Sequence, residues 1–235
     1  MKIKAQIPNI ITLLNLFCGC IAVVFAFQRQ FEIAFLFVSV GIFLDFFDGF
    51  FARLFHVSSP LGLQLDSLAD MVTSGVVPGT IMFFMLKFCS GIEENDWFPF
   101  LGFIITLGSC YRLANFNIDT RQTDSFIGLP TPANALFIMS IPLIKEHTDS
   151  LIILEALTNH WFLLVLTLFS AYILNAEIPL FSLKIKKFSV QHNKLQVGFL
   201  ILSVAMIVML HYLAIPLVIL TYILLSVINN KVQTK

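Results

Sequence analysis

Apolar runs near twenty residues recur along this chain, and they leave little choice of fold. Pro8 to Phe27, Phe31 to Leu54 and Pro60 to Lys87 are the first three. A helix of that length rises about 30 Å, the thickness of a bilayer's hydrocarbon core. The runs are continuous rather than alternating, which argues against a membrane β-barrel. Of the 235 residues, 58% are apolar, 26 are Phe and only 12% are charged, against roughly a quarter charged in soluble domains. The expected fold is all-α: a polytopic integral membrane protein with about eight transmembrane helices.

The remaining helices are expected over 97–117, 131–144, a less sharply bounded segment from Leu151 or Trp161 to Leu174, then 195–210 and 213–228. Pro8 is placed in the first turn of helix one, where a missing N–H is harmless. Asn9, Thr12 and Asn15 recur at three-residue spacing and make one polar stripe that should face protein. Gly75, Pro78 and Gly79 would permit a bend or close packing in helix three. Cys18, Cys20, Cys89 and Cys110 lack metal-ligand spacing and read as small buried apolar side chains. Lys2 and Lys4 precede the first run without a clear cleavage site, so it is expected to be retained.

An even helix count puts both termini on one side. That side receives Lys2, Lys4, Arg53, Arg112, Arg121, Lys184, Lys186, Lys187, Lys194, Lys231 and Lys235, leaving Arg29, Lys87 and Lys145 opposite. The positive-inside rule makes the richer side cytoplasmic. The division expected is one transmembrane domain over 1–235, with a six-helix catalytic core over 1–180 and two further helices over 195–230.

Four carboxylates interrupt this apolar pattern. Asp45-Phe-Phe-Asp48-Gly49-Phe-Phe-Ala52-Arg53 is followed, eight residues on, by Gly62-Leu-Gln-Leu-Asp66-Ser-Leu-Ala-Asp70. An ionised Asp at mid-membrane costs about 2.5–3.5 kcal/mol, so four unpaired ones would cost at most about 10–14 kcal/mol. Cations must compensate them. At 100° per residue, Asp45, Asp48, Gly49 and Ala52 share one helix face, as do Gly62, Asp66 and Asp70. Carboxylates without His or Cys suit Mg²⁺ or Mn²⁺ rather than zinc. With Arg53 as a phosphate donor, the set points to phosphoryl chemistry. Intramembrane carboxylates also mark cation transport pathways, and a purely structural cluster is the third reading.

The spacing Asp-x-x-Asp-Gly-x-x-Ala-Arg, eight residues, Gly-x-x-x-Asp-x-x-x-Asp resembles the signature of the CDP-alcohol phosphotransferases at every fixed position. That resemblance implies the family's fold and two divalent ions, Mg²⁺ or Mn²⁺, held by Asp45, Asp48, Asp66 and Asp70. It also implies Asp70 as general base, and a CDP site formed by Asp45, Gly49, Ala52, Arg53, Gly62 and Asp66. Within the family the chain resembles the phosphatidylserine synthase branch. The carriers are Pro8-Asn9, Thr12-Leu-Leu-Asn15-Leu-Phe-Cys-Gly19, Tyr111-Arg112-Leu-Ala-Asn115-Phe-Asn117 and Phe126-Ile-Gly128-Leu-Pro130-Thr-Pro132-Ala133. Asn115 stands where relatives often carry a basic residue.

The branch implies CDP-diacylglycerol and L-serine as substrates, with Arg112, Asn117 and Arg121 as candidates for the acceptor or lipid phosphate. It further implies a homodimer among membrane lipids of the cytoplasmic (inner) membrane and no nucleic-acid partner, while the positive-inside count makes the active site face the cytosol. Another acceptor, such as glycerol 3-phosphate or an inositol phosphate, belongs to the same chemistry, and a carboxylate-based cation transporter is the reading from a different class.

Overall fold

The computed structural model describes residues 3–57, 59–89, 91–93, 95–119, 121, 126–181 and 194–233. Lys2, Lys184, Lys186, Lys187 and Lys235, invoked above for orientation, lie outside the described residues. The architecture is all-helical; among the described residues the only β pairing is an isolated bridge between Ile127 and Pro179.

Helices α1 (Ile3–Phe27) and α2 (Phe31–Leu54) pack along each other, joined by a turn in which Arg29 takes φ +61°. Pro8 lies inside α1 rather than in its first turn, because the helix begins at Ile3. The Thr12 hydroxyl donates to the Pro8 carbonyl at 3.0 Å.

Helix α3 (Pro60–Asp70) starts at Ser59, whose Oγ accepts the Gly62 N–H at 3.0 Å, with Pro60 pre-set for the first turn. Immediately after Asp70 the chain widens into a π turn, Met71–Val76, and continues as α4 (Val77–Lys87). The expected single helix over Pro60–Lys87 is therefore continuous in span but not uniform in winding. A π turn weakens the regular backbone ladder, and two carbonyls in it are met by α5 (Ile104–Ile118): Thr106 donates to Gly75 O at 2.9 Å and Ser109 to Ser74 O at 3.5 Å. Gly79 also faces Thr106, so the close packing expected of these glycines is present.

A 3₁₀ turn, Phe98–Phe103, leads into α5, and α6 (Thr131–His147) follows. Helices α7 (Leu151–Thr158) and α8 (His160–Asn175) meet at a 75° bend. Asn159 caps α8 there, its Oδ1 accepting the Trp161 and Phe162 N–H groups. Last come α9 (Lys194–Leu210) and α10 (Ala214–Gln233), separated by a 3₁₀ turn at His211–Leu213. The Phe199 ring lies 5.5 Å from that of Tyr222, so the two helices fold back on each other as a hairpin.

The centre of the bundle is α4 with α6. Ile81, Met82, Leu86, Ile138 and Met139 are sealed there against Ala22 and Ala26 of α1 and Val38 of α2. Cys18 and Cys89 are buried as expected, but Cys20 and Cys110 are exposed on the outer surface of the bundle.

Among the described residues four helical stretches are long and apolar enough to cross a membrane: Gln6–Phe27, Phe31–Leu54, Pro60–Lys87 and Leu195–Lys231, the last of them folded back at His211–Leu213. The bent α7–α8 pair makes a fifth. Helices α5 and α6 are not among them. The former carries Arg112, Asn115 and Asn117 in its second half, and the latter is only 17 residues long.

Candidate active site

The hairpin of α1 and α2 and the packing of α1 on α3 bring the two halves of the carboxylate motif together. Asp45, Asp48 and Asp66 each offer an oxygen, and these three atoms lie within 4.8 Å of one another. At that separation two unit charges repel by on the order of 3 kcal/mol at an effective dielectric of about 20. Asp45 Oδ1 is buried with no hydrogen-bond partner. Three converging carboxylates with an unpaired buried oxygen fit a hard divalent cation, which takes oxygen ligands and cancels the repulsion.

Asp70 is set differently. It is 8% exposed, and its Oδ1 accepts Asn15 Nδ2 at 3.3 Å. Asp48, 6% exposed, accepts a hydrogen bond from Thr12 Oγ1. Thr12 and Asn15 are both buried, so the polar stripe of α1 does face protein. Its particular partners are the carboxylates, which its spacing alone did not reveal.

Two cavities flank the cluster and share Asp48, Gly49 and Asp66 as their common wall. The smaller, about 180 Å³, lies against Pro8, Asn9, Ala52, Val57 and Gly62. The larger, about 390 Å³, has Asp45, Asp70, Arg53 and Arg112 on its polar side and Phe46, Leu113, Phe116 and Phe126 on its apolar side. Of the residues assigned to CDP, Asp45 and Arg53 thus line the larger cavity, Ala52 and Gly62 the smaller, and Gly49 and Asp66 both. Gly49 leaves open space: a Cβ there would meet nothing closer than Arg53 Nη1 at 3.6 Å.

The remaining wall of the larger cavity is Pro130, Thr131 and Pro132, the opening of α6. It is tied down at Gly128, whose φ of +78° suits glycine. Gly128 N donates to Ile178 O at 2.9 Å, Leu129 N to Ile173 O at 3.0 Å, and Leu180 N to Phe126 O at 2.8 Å. These bonds fasten the turn to the end of α8.

The three acceptor-site candidates separate. Arg112 is 4% exposed, lines the larger cavity and lies over the Phe116 ring at 5.4 Å. Asn117 stays one step back: its Nδ2 donates to Ser67 Oγ at 2.9 Å, and Ser67 lines the cavity. Arg121 lines neither cavity. It grips Asp119 at 3.0 Å and reaches Glu177 at 3.6 Å on an exposed surface. The hydrogen bond to Asp119 holds its guanidinium above the ordinary value. Ser67, Phe46 and Phe126 had no site role in the sequence reading; only their closeness to motif residues hinted at one.

The sequence matches the family model described as CDP-alcohol phosphatidyltransferase over residues 5–173. A Bacillus subtilis CDP-diacylglycerol–serine O-phosphatidyltransferase is 37% identical over 130 residues, 54% of this chain and 69% of that protein. A protein of the same name from Helicobacter pylori strain J99 is 36% identical over 137 residues, 56% of this chain and 55% of its own length. One from Mycobacterium leprae is 26% identical over 224 residues, 92% of this chain and 72% of the relative. The chain thus spans little more than half of the Helicobacter protein.

Proposed function

This chain belongs to the CDP-alcohol phosphatidyltransferase family, and from that premise we propose that it transfers the phosphatidyl group of CDP-diacylglycerol to the hydroxyl of L-serine, giving phosphatidylserine and CMP. The observation that carries the proposal is the three-carboxylate cluster between two unlike cavities, one small and beside Ala52 and Gly62, the other larger and walled by aromatic rings. A nucleotide and a lipid-linked phosphate need such unlike surroundings on either side of one charged centre. The shared name of the relatives selects serine.

In this reading Asp45, Asp48, Asp66 and Asp70 hold two divalent cations, Mg²⁺ or Mn²⁺. When bound, such ions neutralise the diphosphate and stabilise charge on the attacking and leaving oxygens. Gly49, Ala52 and Gly62 let the CMP moiety approach the backbone, and Arg53 contacts its phosphate. Arg112, buried in the wall of the larger cavity that Asp70 also lines, offers a fixed cation to the serine carboxylate or lipid phosphate. Asp70 takes the proton of the serine hydroxyl as that oxygen bonds to the lipid-linked phosphorus. The bond from this phosphorus to the CMP oxygen breaks, and CMP leaves with the electron pair.

The wider placement follows the same reading: about eight spans, both termini and the active site on the cytosolic side of the inner membrane, and a homodimer. The six-helix part over 1–180 carries catalysis, and 195–230 adds two spans. The test is CMP release by protein in lipid nanodiscs supplied with CDP-diacylglycerol and, separately, serine, glycerol 3-phosphate or an inositol phosphate. Serine-dependent release is expected. Release with another alcohol alone would reassign the acceptor, and cation flux without CMP would replace the enzyme by a transporter.

A further inference from the structure

Asn15 and Thr73 line neither cavity, yet both are 0% exposed and form a closed set of contacts with Asp70. Thr73 Oγ1 donates to Asn15 Oδ1 at 2.9 Å, and Asn15 Nδ2 donates to Asp70 Oδ1 at 3.3 Å. The same hydroxyl lies 3.3 Å from the Asn15 carbonyl. Thr73 belongs to the π turn that begins directly after Asp70, so one stretch of chain carries both the carboxylate and the group that orients its partner.

The arrangement fixes the sense of the amide. Turning Asn15 over would set its Oδ1 against the carboxylate of Asp70. Helix α2 closes the remaining side: a Cβ on Gly41 would lie 2.7 Å from Asn15 Oδ1 and 3.0 Å from Thr73 Cγ2. The Asn15 side chain therefore has little room to rotate.

We infer that Asn15, aimed by Thr73, is a positioning residue that engages Asp70 Oδ1 and sets the direction in which Asp70 presents its carboxylate to the acceptor hydroxyl. The inference rests on the proposed role of Asp70 as base. It concerns orientation, the part played by the third member of a nucleophile–base–orienter set.

The test compares wild type, Asn15→Leu, Thr73→Val and Thr73→Ser in nanodiscs. CMP release is measured with the alcohol that wild type uses, and Mn²⁺ binding is measured calorimetrically without substrate. Thr73→Val keeps the shape and removes the hydroxyl, whereas Thr73→Ser keeps the hydroxyl. Loss of an orienting partner outside the contact shell is expected to lower kcat by about 10–100-fold in Asn15→Leu and Thr73→Val. KM for CDP-diacylglycerol should stay within about twofold, Mn²⁺ affinity should fall because Asp70 is among the proposed cation ligands, and Thr73→Ser should recover most of both the rate and the affinity. Thr73→Val at wild-type kcat overturns the inference alone. So does a raised KM for CDP-diacylglycerol with unchanged kcat in either variant, which marks a merely structural role, or a failure of Thr73→Ser to recover. Wild type that releases CMP with no alcohol overturns both this inference and the proposed function.

Discussion

Asn117 reaches toward the larger cavity through Ser67, whose hydroxyl accepts its Nδ2 at 2.9 Å. Ser67 sits one residue after Asp66, so the contact ties the end of α5 to the carboxylate helix at its most sensitive turn. Asn117→Leu should slow CMP release by about 3–10-fold, the worth of one neutral hydrogen bond at about 0.5–1.5 kcal/mol. Ser67→Ala should give a similar loss, and the double variant should lose no more than the larger single effect. Additive losses in steady-state assays would show that Asn117 acts by another route.

Arg112 and Arg121 should part company. Arg112 is buried in the cavity wall, so Arg112→Ala should cut kcat/KM by at least about 30-fold, in line with the 2–5 kcal/mol typical of truncating a buried charged contact. Arg121 is exposed and already engaged by Asp119 and Glu177. Arg121→Ala should stay within about twofold, since exposed ion pairs contribute little. Both are read from CMP release over a range of serine concentrations.

Removing a carboxylate from the cluster should have opposite effects on activity and on stability without metal. Asp45→Asn, Asp48→Asn and Asp66→Asn should each abolish measurable turnover. In EDTA the same variants should melt higher than wild type by about 2–12 °C, because relief of on the order of 1–3 kcal/mol of repulsion raises Tm by about 2–4 °C per kcal/mol in a chain of this size. Added Mn²⁺ should stabilise wild type and close or reverse the gap. Thermal unfolding followed with and without EDTA reads both signs.

Gly128→Ala tests the fastening of the cavity wall. Its φ is +78°, and a Cβ would lie 2.5 Å from Leu174 O. Residues forced into such backbone cost about 1–3 kcal/mol, and the clash with a carbonyl adds to this. A lower Tm is expected, together with a raised KM as Pro130 to Pro132 shift. Gly198→Ala in α9 is the control: nothing lies within 4 Å of its Cβ position, so it should be neutral or slightly stabilising.

What the sequence made legible follows from which forces are local. The apolar runs and the carboxylate spacing are one-dimensional patterns, so α2, the Pro60–Lys87 span and the convergence of Asp45, Asp48 and Asp66 could be expected directly. Arg121 was harder, because its competitor Glu177 is far away in sequence and only the fold brings it near. The partners of Thr12 and Asn15 were hidden for the same reason. Periodicity tells which way a side chain faces, not what it meets. The π turn has no periodic signature either: beside its own backbone bonds, such as Val77 N to Val72 O, two of its carbonyls are met by Thr106 and Ser109 from a neighbouring helix.

That π turn has a mechanical meaning beyond its hydrogen bonds. Winding one extra residue into a helix sets everything after it back by about 100° around the axis relative to regular winding. The angle between the face of α3 that bears Asp66 and Asp70 and the face of α4 that lodges Gly79 under Thr106 is thus set by the widened turn as well as by residue spacing. Regular winding would set Gly79 about half a turn from Asp70, and the widened turn changes that angle. The turn works as a phase shifter, letting one membrane-length rod serve the chemistry at one end and the bundle at the other.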